Sequence, residues 1–191
     1  MTSHFCEQVR KIEDYLLIRK IKAGDPEAWE KLVRKYYQII FAFCVRRFFG
    51  DRLLAADLTQ DIFLKLIETI DRYQYTGKFF NYLFTIAVNT CNNYQAKKKF
   101  VQNELNDQLQ LQPDTTEKMI IESETRDQLQ DVLDTLPDMQ KNALILKYFY
   151  DLKVKDIAKI MDASVPTTQS RITQGLTKLR EKMNREDFSD E

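Results

Sequence analysis

The sequence predicts an all-α protein of two helical modules, and three observations carry that expectation. Glycine and proline number four each in 191 residues, and they stand mainly where helices should begin or end. Apolar residues recur at helical spacing over long stretches. Charge sums to zero but is zoned: residues 1–100 hold 17 basic and 11 acidic side chains, residues 101–135 hold 2 and 9, and residues 136–191 hold 10 and 9. A basic module, an acidic connector and a nearly neutral module follow from that zoning.

A first helix is expected over about residues 11–22. In AGDPEAW, Gly24 ends it, Asp25 caps the next helix and Pro26 fits the first turn, whose N–H groups lack intrahelical partners. Trp29, Leu32, Val33, Tyr36, Ile40 and Phe43 then mark one buried stripe, which Gly50–Asp51 breaks. A third helix, about 52–72, carries Leu54, Leu58, Ile62, Leu66 and Ile70 at four-residue spacing. After the loop RYQYTGK (72–78), a fourth runs from about Phe79 to Lys99 with Leu83, Ile86 and Ala87 inside, completing a four-helix bundle over residues 1–99. Residues 100–125 are rich in Gln, Asp and Glu and only weakly periodic, which predicts a flexible acidic linker, in part disordered. Helical spacing returns from 126 with Leu129, Val132, Leu133 and Leu136. Pro137 opens a further helix with Ala143, Leu144, Leu146 and Phe149, and the second module is expected to span 126–185, ahead of an acidic tail at 186–191.

Several function classes are excluded early. The three cysteines, Cys6, Cys44 and Cys91, form no CxxC pair, and His4 is the only histidine, so neither a disulfide framework nor a metal site is expected. Cys44 and Cys91 sit in apolar helical surroundings and read as small core residues. With no Gly-rich phosphate loop and no nucleophile motif, no enzyme, cofactor or small-molecule substrate is expected. The N-terminus lacks a signal-peptide run, and IIFAFCV (39–45) is too short to span a bilayer. A soluble cytoplasmic protein with no membrane insertion is the expectation.

Near the C-terminus VKDIAKIMDASVPTTQSRI reads as two short helices joined by a tight turn. Val154, Ile157, Ala158 and Met161 share the inner face of the first helix, and Asp162 stands where a positive φ is needed, a conformation Asp tolerates. Ser164 caps the second helix, whose inward seam is Val165, Thr168, Ile172, Leu176, Leu179 and Met183. Outward lie Pro166, Thr167, Gln169, Ser170, Arg171, Thr173 and Gln174. Gln pairs with adenine edges, Arg with guanine, and Thr or Ser with several, at about 1–3 kcal/mol of discrimination for a good bidentate contact. The phosphate-neutralising charge that dominates affinity is thin. A helical hairpin that merely packs, or binds protein, fits the same residues.

In the N-terminal module, AADLTQDIFLKL buries Leu58, Ile62 and Leu66 and turns Asp57, Gln60, Asp61 and Leu64 outward, either a solvated face with a weak Asp61–Lys65 pair or a contact surface. The fourth helix has RYQYTGKFF leading in, and Asn89, Asn92, Asn93 and Tyr94 before Lys97–Lys99 at its far end. Aromatic rings offer stacking platforms, amides read base edges and a Lys run tracks phosphates, a mixture suited to opened DNA. Core aromatics and a basic helix end are the plainer account.

DLTQDIFLKL, then IDRYQYTGKFFNYLFTIAVNTCNNY, then LPDMQKNALILKYFYDLKVKDIAKIMDASVPTTQSRI resembles the sigma-70 family, in its compact extracytoplasmic-function branch of regions 2 and 4. The resemblance covers roughly residues 12–99 and 126–183. It implies a protein that binds core RNA polymerase, at its beta and beta-prime subunits, and directs it to promoter DNA. Asp57, Gln60, Asp61, Phe63 and Leu64 match the polymerase contact. Tyr73, Lys78, Phe79, Ile86, Asn89 and Asn93 match positions that melt and read the −10 element, with Lys97, Lys98 and Lys99 beside them. The helix pair matches the reader of the −35 element. An anti-sigma partner is implied as well. Gln169, Gln174 and Leu176 stand where the family often has basic residues, Tyr82 where Trp is frequent and Val88 where Arg is common. A decoy that titrates an anti-sigma factor and a plain helix-turn-helix regulator are the alternatives.

Overall fold

The computed structural model describes the backbone of residues 2–108 and 136–186 and the side chains of residues 12–101 and 136–182. The described residues form seven α-helices and one short 3-10 turn, with no strand. The N-terminal module packs α1 (Thr2–Lys22), α2 (Pro26–Arg47), α3 (Arg52–Thr69) and α4 (Phe79–Gln108) into a bundle. Asp25 caps α2 as expected, accepting from the N–H groups of Glu27 at 2.9 Å and Ala28 at 3.3 Å. Asp51 does the same for α3 through the Leu54 N–H at 2.9 Å, after Gly50 turns the chain at a φ of 80°. The core is rich in aromatic rings, with Tyr36 edge-on to Phe79 and Phe43 edge-on to Phe84, each pair 5.4 Å between centroids. Cys44 and Cys91 are buried free thiols within it. Buried Asp14 ties α1 to α2: the Tyr36 hydroxyl donates to it at 2.7 Å and Lys35 Nζ lies 2.9 Å away.

Three boundaries depart from expectation. Helix α1 begins nine residues earlier, at Thr2. Helix α3 stops at Thr69, and Ile70–Arg72 is a 3-10 turn leading into the loop around Gly77. Helix α4 continues past Lys99 to Gln108, because no Gly or Pro interrupts Phe79–Gln108, so the expected linker begins as helix. The rest of that linker, the segment expected to be helical from 126 to 135 and the last five residues lie outside the described residues. Trp29 and Val33, expected in the buried stripe, are only half-buried.

The C-terminal module consists of α5 (Asp138–Tyr148), α6 (Val154–Ile160) and α7 (Val165–Glu186). Every residue from Gln140 to Leu146 is buried, because α5 packs against α7, α2 and α6. Gly175 permits the close approach of α7: a Cβ there would lie 2.8 Å from Leu144 Cδ1. Asp162 has the expected positive φ, 46°, and Ser164 Oγ accepts from the Thr167 N–H at 3.1 Å. Val165, expected on the inner seam, is 44% exposed; Ile160 is buried instead. Phe149, expected inside α5, sits at its C-cap and is 55% exposed.

The two modules dock on one another. Tyr150, in the turn after α5, enters the N-terminal module, where its ring lies 4.8 Å from that of Phe84 and its hydroxyl donates to Ile39 O at 2.9 Å. Burial pushes its pKa up to about 12 despite nearby Arg46, so it stays a neutral donor. Arg47, at the end of α2, is 1% exposed, and its Nη2 lies 2.7 Å from Asp138 Oδ1. Asn142 Nδ2 donates to Asn92 Oδ1 at 2.9 Å across the same boundary.

Candidate nucleic-acid interface

The outward face of α3 carries Asp57, Gln60, Asp61 and Leu64, all exposed, with Leu64 at 58%. Phe63 is buried and stacks on Tyr37 of α2, with centroids 6.2 Å apart, so it supports this face from beneath. The weak Asp61–Lys65 pair does not form: Lys65 Nζ instead donates to Thr90 Oγ1 at 3.1 Å, and Asp61 has no ion pair among the described residues. Ile67, 51% exposed, extends the face by one further turn and was missed in the sequence. Beside it lies a groove of about 550 Å³ between α2 and α3, with Trp29, Val33, Tyr37 and Ile67 among its lining. The three-residue step from Leu64 to Ile67 was the available signal. Acidic groups flanking an apolar stripe can grip a helical partner that offers basic and apolar side chains.

A second surface runs along the start and outer side of α4. Tyr73 and Phe79 are 8% and 1% exposed. Tyr73 stacks on Tyr82 at 4.3 Å, and the Tyr82 hydroxyl donates to Thr69 Oγ1 at 2.7 Å, so this ring pair braces the loop before α4. Burial, opposed by hydrogen bonding to Thr76, holds the Tyr73 phenol above its usual pKa range. Ile86 is half-buried, whereas Asn89, Asn93 and Lys97–Lys99 are exposed at the surface. The surface is partly taken by the C-terminal module: Lys78 pairs with Asp156 of α6, and Lys99 Nζ reaches Asp138 Oδ2 at 3.0 Å. Burial works to raise both carboxyls, but the cationic partners outweigh it, and Asp138 and Asp156 are each held below the usual carboxylate range.

The third surface is the first half of α7. Pro166, Thr167, Gln169, Ser170, Thr173 and Gln174 are exposed, and Arg171 is half-buried. Their freedom differs. Thr167 Oγ1 shares a hydrogen bond of 2.7 Å with Ser164, while Gln174 donates to Ser170 Oγ and accepts from Gln140 Nε2, both at 3.0 Å. Arg171 Nη1 is buried and has no acceptor among the described residues, so a donor stands uncommitted within the helix face. Gln169 and Thr173 likewise have side-chain polar atoms without partners there, apart from backbone bonding. That set can read base edges but supplies one cation, against the several that phosphate contacts require.

Among the described residues no cluster of His, Cys, Asp or Glu could hold a metal ion, and no helix is long and apolar enough to cross a membrane. Residues 32–101 match the family model for Sigma-70 region 2, and residues 126–179 match that for Sigma-70, region 4. The chain is similar to the ECF RNA polymerase sigma-E factor of Haemophilus influenzae, 29% identical over 178 residues covering 85% of this chain and 90% of that one. It is also similar to the ECF RNA polymerase sigma factor SigW of Bacillus subtilis, 27% identical over 177 residues, with 87% and 94% covered. In fold it is similar to CnrH in complex with the cytosolic domain of CnrY, with a TM-score of 0.67, 18% identity and coverage of 91% of this chain and 98% of that one. The sigma factor RpoE from Bartonella quintana, bound to the anti-sigma factor NepR, gives a TM-score of 0.64 at 20% identity, with 85% and 98% covered.

Proposed function

The chain belongs to the extracytoplasmic-function branch of the sigma-70 family, and from that premise we propose how its surfaces divide the work of starting transcription. It binds core RNA polymerase and directs it to promoters. The outward face of α3 takes the polymerase, with Asp57, Gln60 and Asp61 as the acidic and amide contacts and Leu64, joined by Ile67, as the apolar anchor. The α4 surface receives the opened −10 strand: Asn89 and Asn93 face the bases, and Lys78 and Lys97–Lys99 face the backbone. Tyr73 and Phe79 act from beneath, setting the loop that a flipped base must meet, a step that costs a few kcal/mol. Helix α7 reads the −35 element in the major groove through Gln169, Arg171 and Thr173.

The observation that carries this reading is the order of the parts: a region 2 match and a region 4 match, each falling on helices that expose polar reading residues. With one cation, Arg171, on the reading half of α7, affinity for promoter DNA comes from joining two weak readers on one polymerase, which makes the second contact intramolecular. The protein acts in the cytoplasm, where polymerase and DNA are. Because two solved relatives are each held by a partner, CnrH by CnrY and RpoE by the anti-sigma factor NepR, an anti-sigma factor is the regulatory partner proposed here. No catalytic role is assigned.

The test is run-off transcription by core polymerase on fragmented genomic DNA, with and without the protein, followed by sequencing of the transcript ends. New discrete start sites sharing two upstream elements are expected. Leu64→Asp should abolish them while leaving the helical fold intact, since Leu64 is exposed. Polymerase binding that survives Leu64→Asp undiminished would move the contact away from α3.

A further inference from the structure

We propose that Lys22, at the end of α1, is a positioning residue for −10 recognition: its ammonium clamps the backbone of the loop that leads into α4. The role depends on the α4 surface receiving the opened −10 strand, as proposed above. That loop, residues 73–78, does little to hold its own shape. Among the described residues no backbone–backbone hydrogen bond involves residues 74–77, and Gly77 turns the chain at a φ of 73°. The 3-10 turn before the loop ends at Arg72, which leaves its last carbonyls without intrahelical donors. Anchors from elsewhere must fix it.

Lys22 supplies them from another helix. Its Nζ donates to Asp71 O at 2.8 Å and to Tyr73 O at 2.7 Å, so two of its three donors are spent on loop carbonyls. It stands in the last turn of α1, where a cation also suits the negative end of the helix dipole. Tyr15, seven residues earlier and so on the same side of α1, makes a second contact, with its ring 5.3 Å from that of Tyr75. Tyr75 lies edge-on to Tyr73 at 6.4 Å, and Tyr73 is stacked on Tyr82 of α4. The loop is thus held by α1 through its backbone and one ring, and by α4 through another. Gln74, Thr76 and Lys78 stay exposed between these anchors. Capture of a base by such a loop depends on its placement, and a shift of about 1 Å forfeits much of the fit. Lys22 acts on that placement without itself reading a base.

The test compares Lys22→Met, which keeps the stem and removes the donors, with Lys22→Arg, which keeps donors. Lys22 is exposed, so both variants keep the fold. In the free full chain, hydrogen exchange over residues 71–78 should be faster in Lys22→Met and close to unaltered in Lys22→Arg. Unchanged exchange in Lys22→Met overturns the clamp. With core polymerase and a promoter found by run-off transcription, each −10 and −35 base is then varied and transcript yield measured. Lys22→Met should shrink the preference for the favoured −10 bases about tenfold, the fold-change of one charge-assisted hydrogen bond. The −35 preference should stay as it was, and Lys22→Arg should restore most of the loss. A loss uniform across all sequences, with a shallower salt dependence, would make Lys22 a phosphate contact and overturn its positioning role. Asn89→Ala is run alongside. If it alters the −10 preference while Lys22→Met does not, only the clamp falls; if neither does, the clamp and the −10 role of α4 fall together.

Discussion

The two surfaces proposed to read DNA are held in opposite conditions. On α7 the proposed reading side chains are exposed, with Arg171 half-buried, and among the described residues their side-chain hydrogen bonds run to one another, Ser164 and Gln140. At the proposed −10 surface Lys78, in the loop before α4, and Lys99, on α4, are paired with Asp156 and Asp138 of the other module. A lysine held in such a pair is less available to a phosphate, so the proposed −10 surface gains free cations when the modules part. The first half of α7 carries one cation, Arg171, whereas the proposed −10 surface carries Lys78 and Lys97–Lys99, and on the proposed reading that second set serves two ends. Lys78 and Lys99 hold the C-terminal module in the docked arrangement, and on the proposed reading they turn to DNA when it is present.

The strongest way to break this comparison is Arg47→Ala. It leaves Asp138 with Lys99 alone and empties a fully buried site at the module boundary. Removing one partner of a buried pair costs about 3–5 kcal/mol, and the partial exposure of Asp138 sets the expectation near the lower end. The modules should separate, read as a larger radius of gyration by small-angle scattering, while circular dichroism keeps its helical signal. An unchanged radius would mean that Tyr150 and its aromatic neighbours hold the modules without help from charge.

Acid sharpens the same point. Burial raises the Asp138 and Asp156 carboxyls, but Arg47 and Lys99 on the first and Lys78 on the second bring them below the ordinary range. A depressed pKa in the docked state means that the contribution is complete above the ordinary value of about 3.9 and is lost as pH falls through the lowered one. Docking should therefore persist at pH 5 and weaken below about pH 4. The Asp138→Asn, Asp156→Asn double variant should show a flatter scattering profile over that range. If its profile matches that of the unaltered protein, other carboxylates govern the transition.

How much of this was legible in the chain depended on whether the signal was local. Caps and turns were: Asp25, Ser164 and the positive φ at Asp162 follow from the chemistry of single residues. The outward positions of Asp57, Gln60, Asp61 and Leu64 followed from the helical period. Docking was not legible, because nothing near Arg47 in sequence distinguishes a surface arginine from one that meets Asp138 across the chain. Phe149 was misassigned for the same reason: α5 ends one residue before it, and only tertiary packing decides that the adjacent ring of Tyr150 goes inward instead. Val165 shows the limit of periodicity at a helix start, where the first turn has no neighbour to bury it.

Gly175→Val tests the C-terminal module by itself. Its Cβ would meet Leu144 Cδ1 at 2.8 Å and Cγ at 3.2 Å, and the added methyls would press further into the α5–α7 contact. Overpacking of this kind costs about 1–3 kcal/mol, seen as a lower denaturation midpoint for the C-terminal transition. Pairing it with Leu144→Ala should recover part of the loss.

The smallest expected effect is at Asp162, where α6 and α7, the proposed −35 reader, meet. Its φ of 46° is left-handed, a conformation that costs a side-chain-bearing residue about 1–2 kcal/mol and Asp somewhat less. Glycine would relieve that strain but gives the unfolded chain more freedom, an opposing term of about 0.4–1 kcal/mol. The two nearly offset, so Asp162→Gly should stabilise the module by less than about 1 kcal/mol and leave scattering and DNA reading unchanged. Asp162→Val, β-branched at the same φ, should instead destabilise it by more than glycine gains. If valine were tolerated as well as glycine, the turn would not constrain the angle between α6 and α7, and the open face of α7 would owe its orientation to packing against α5 alone.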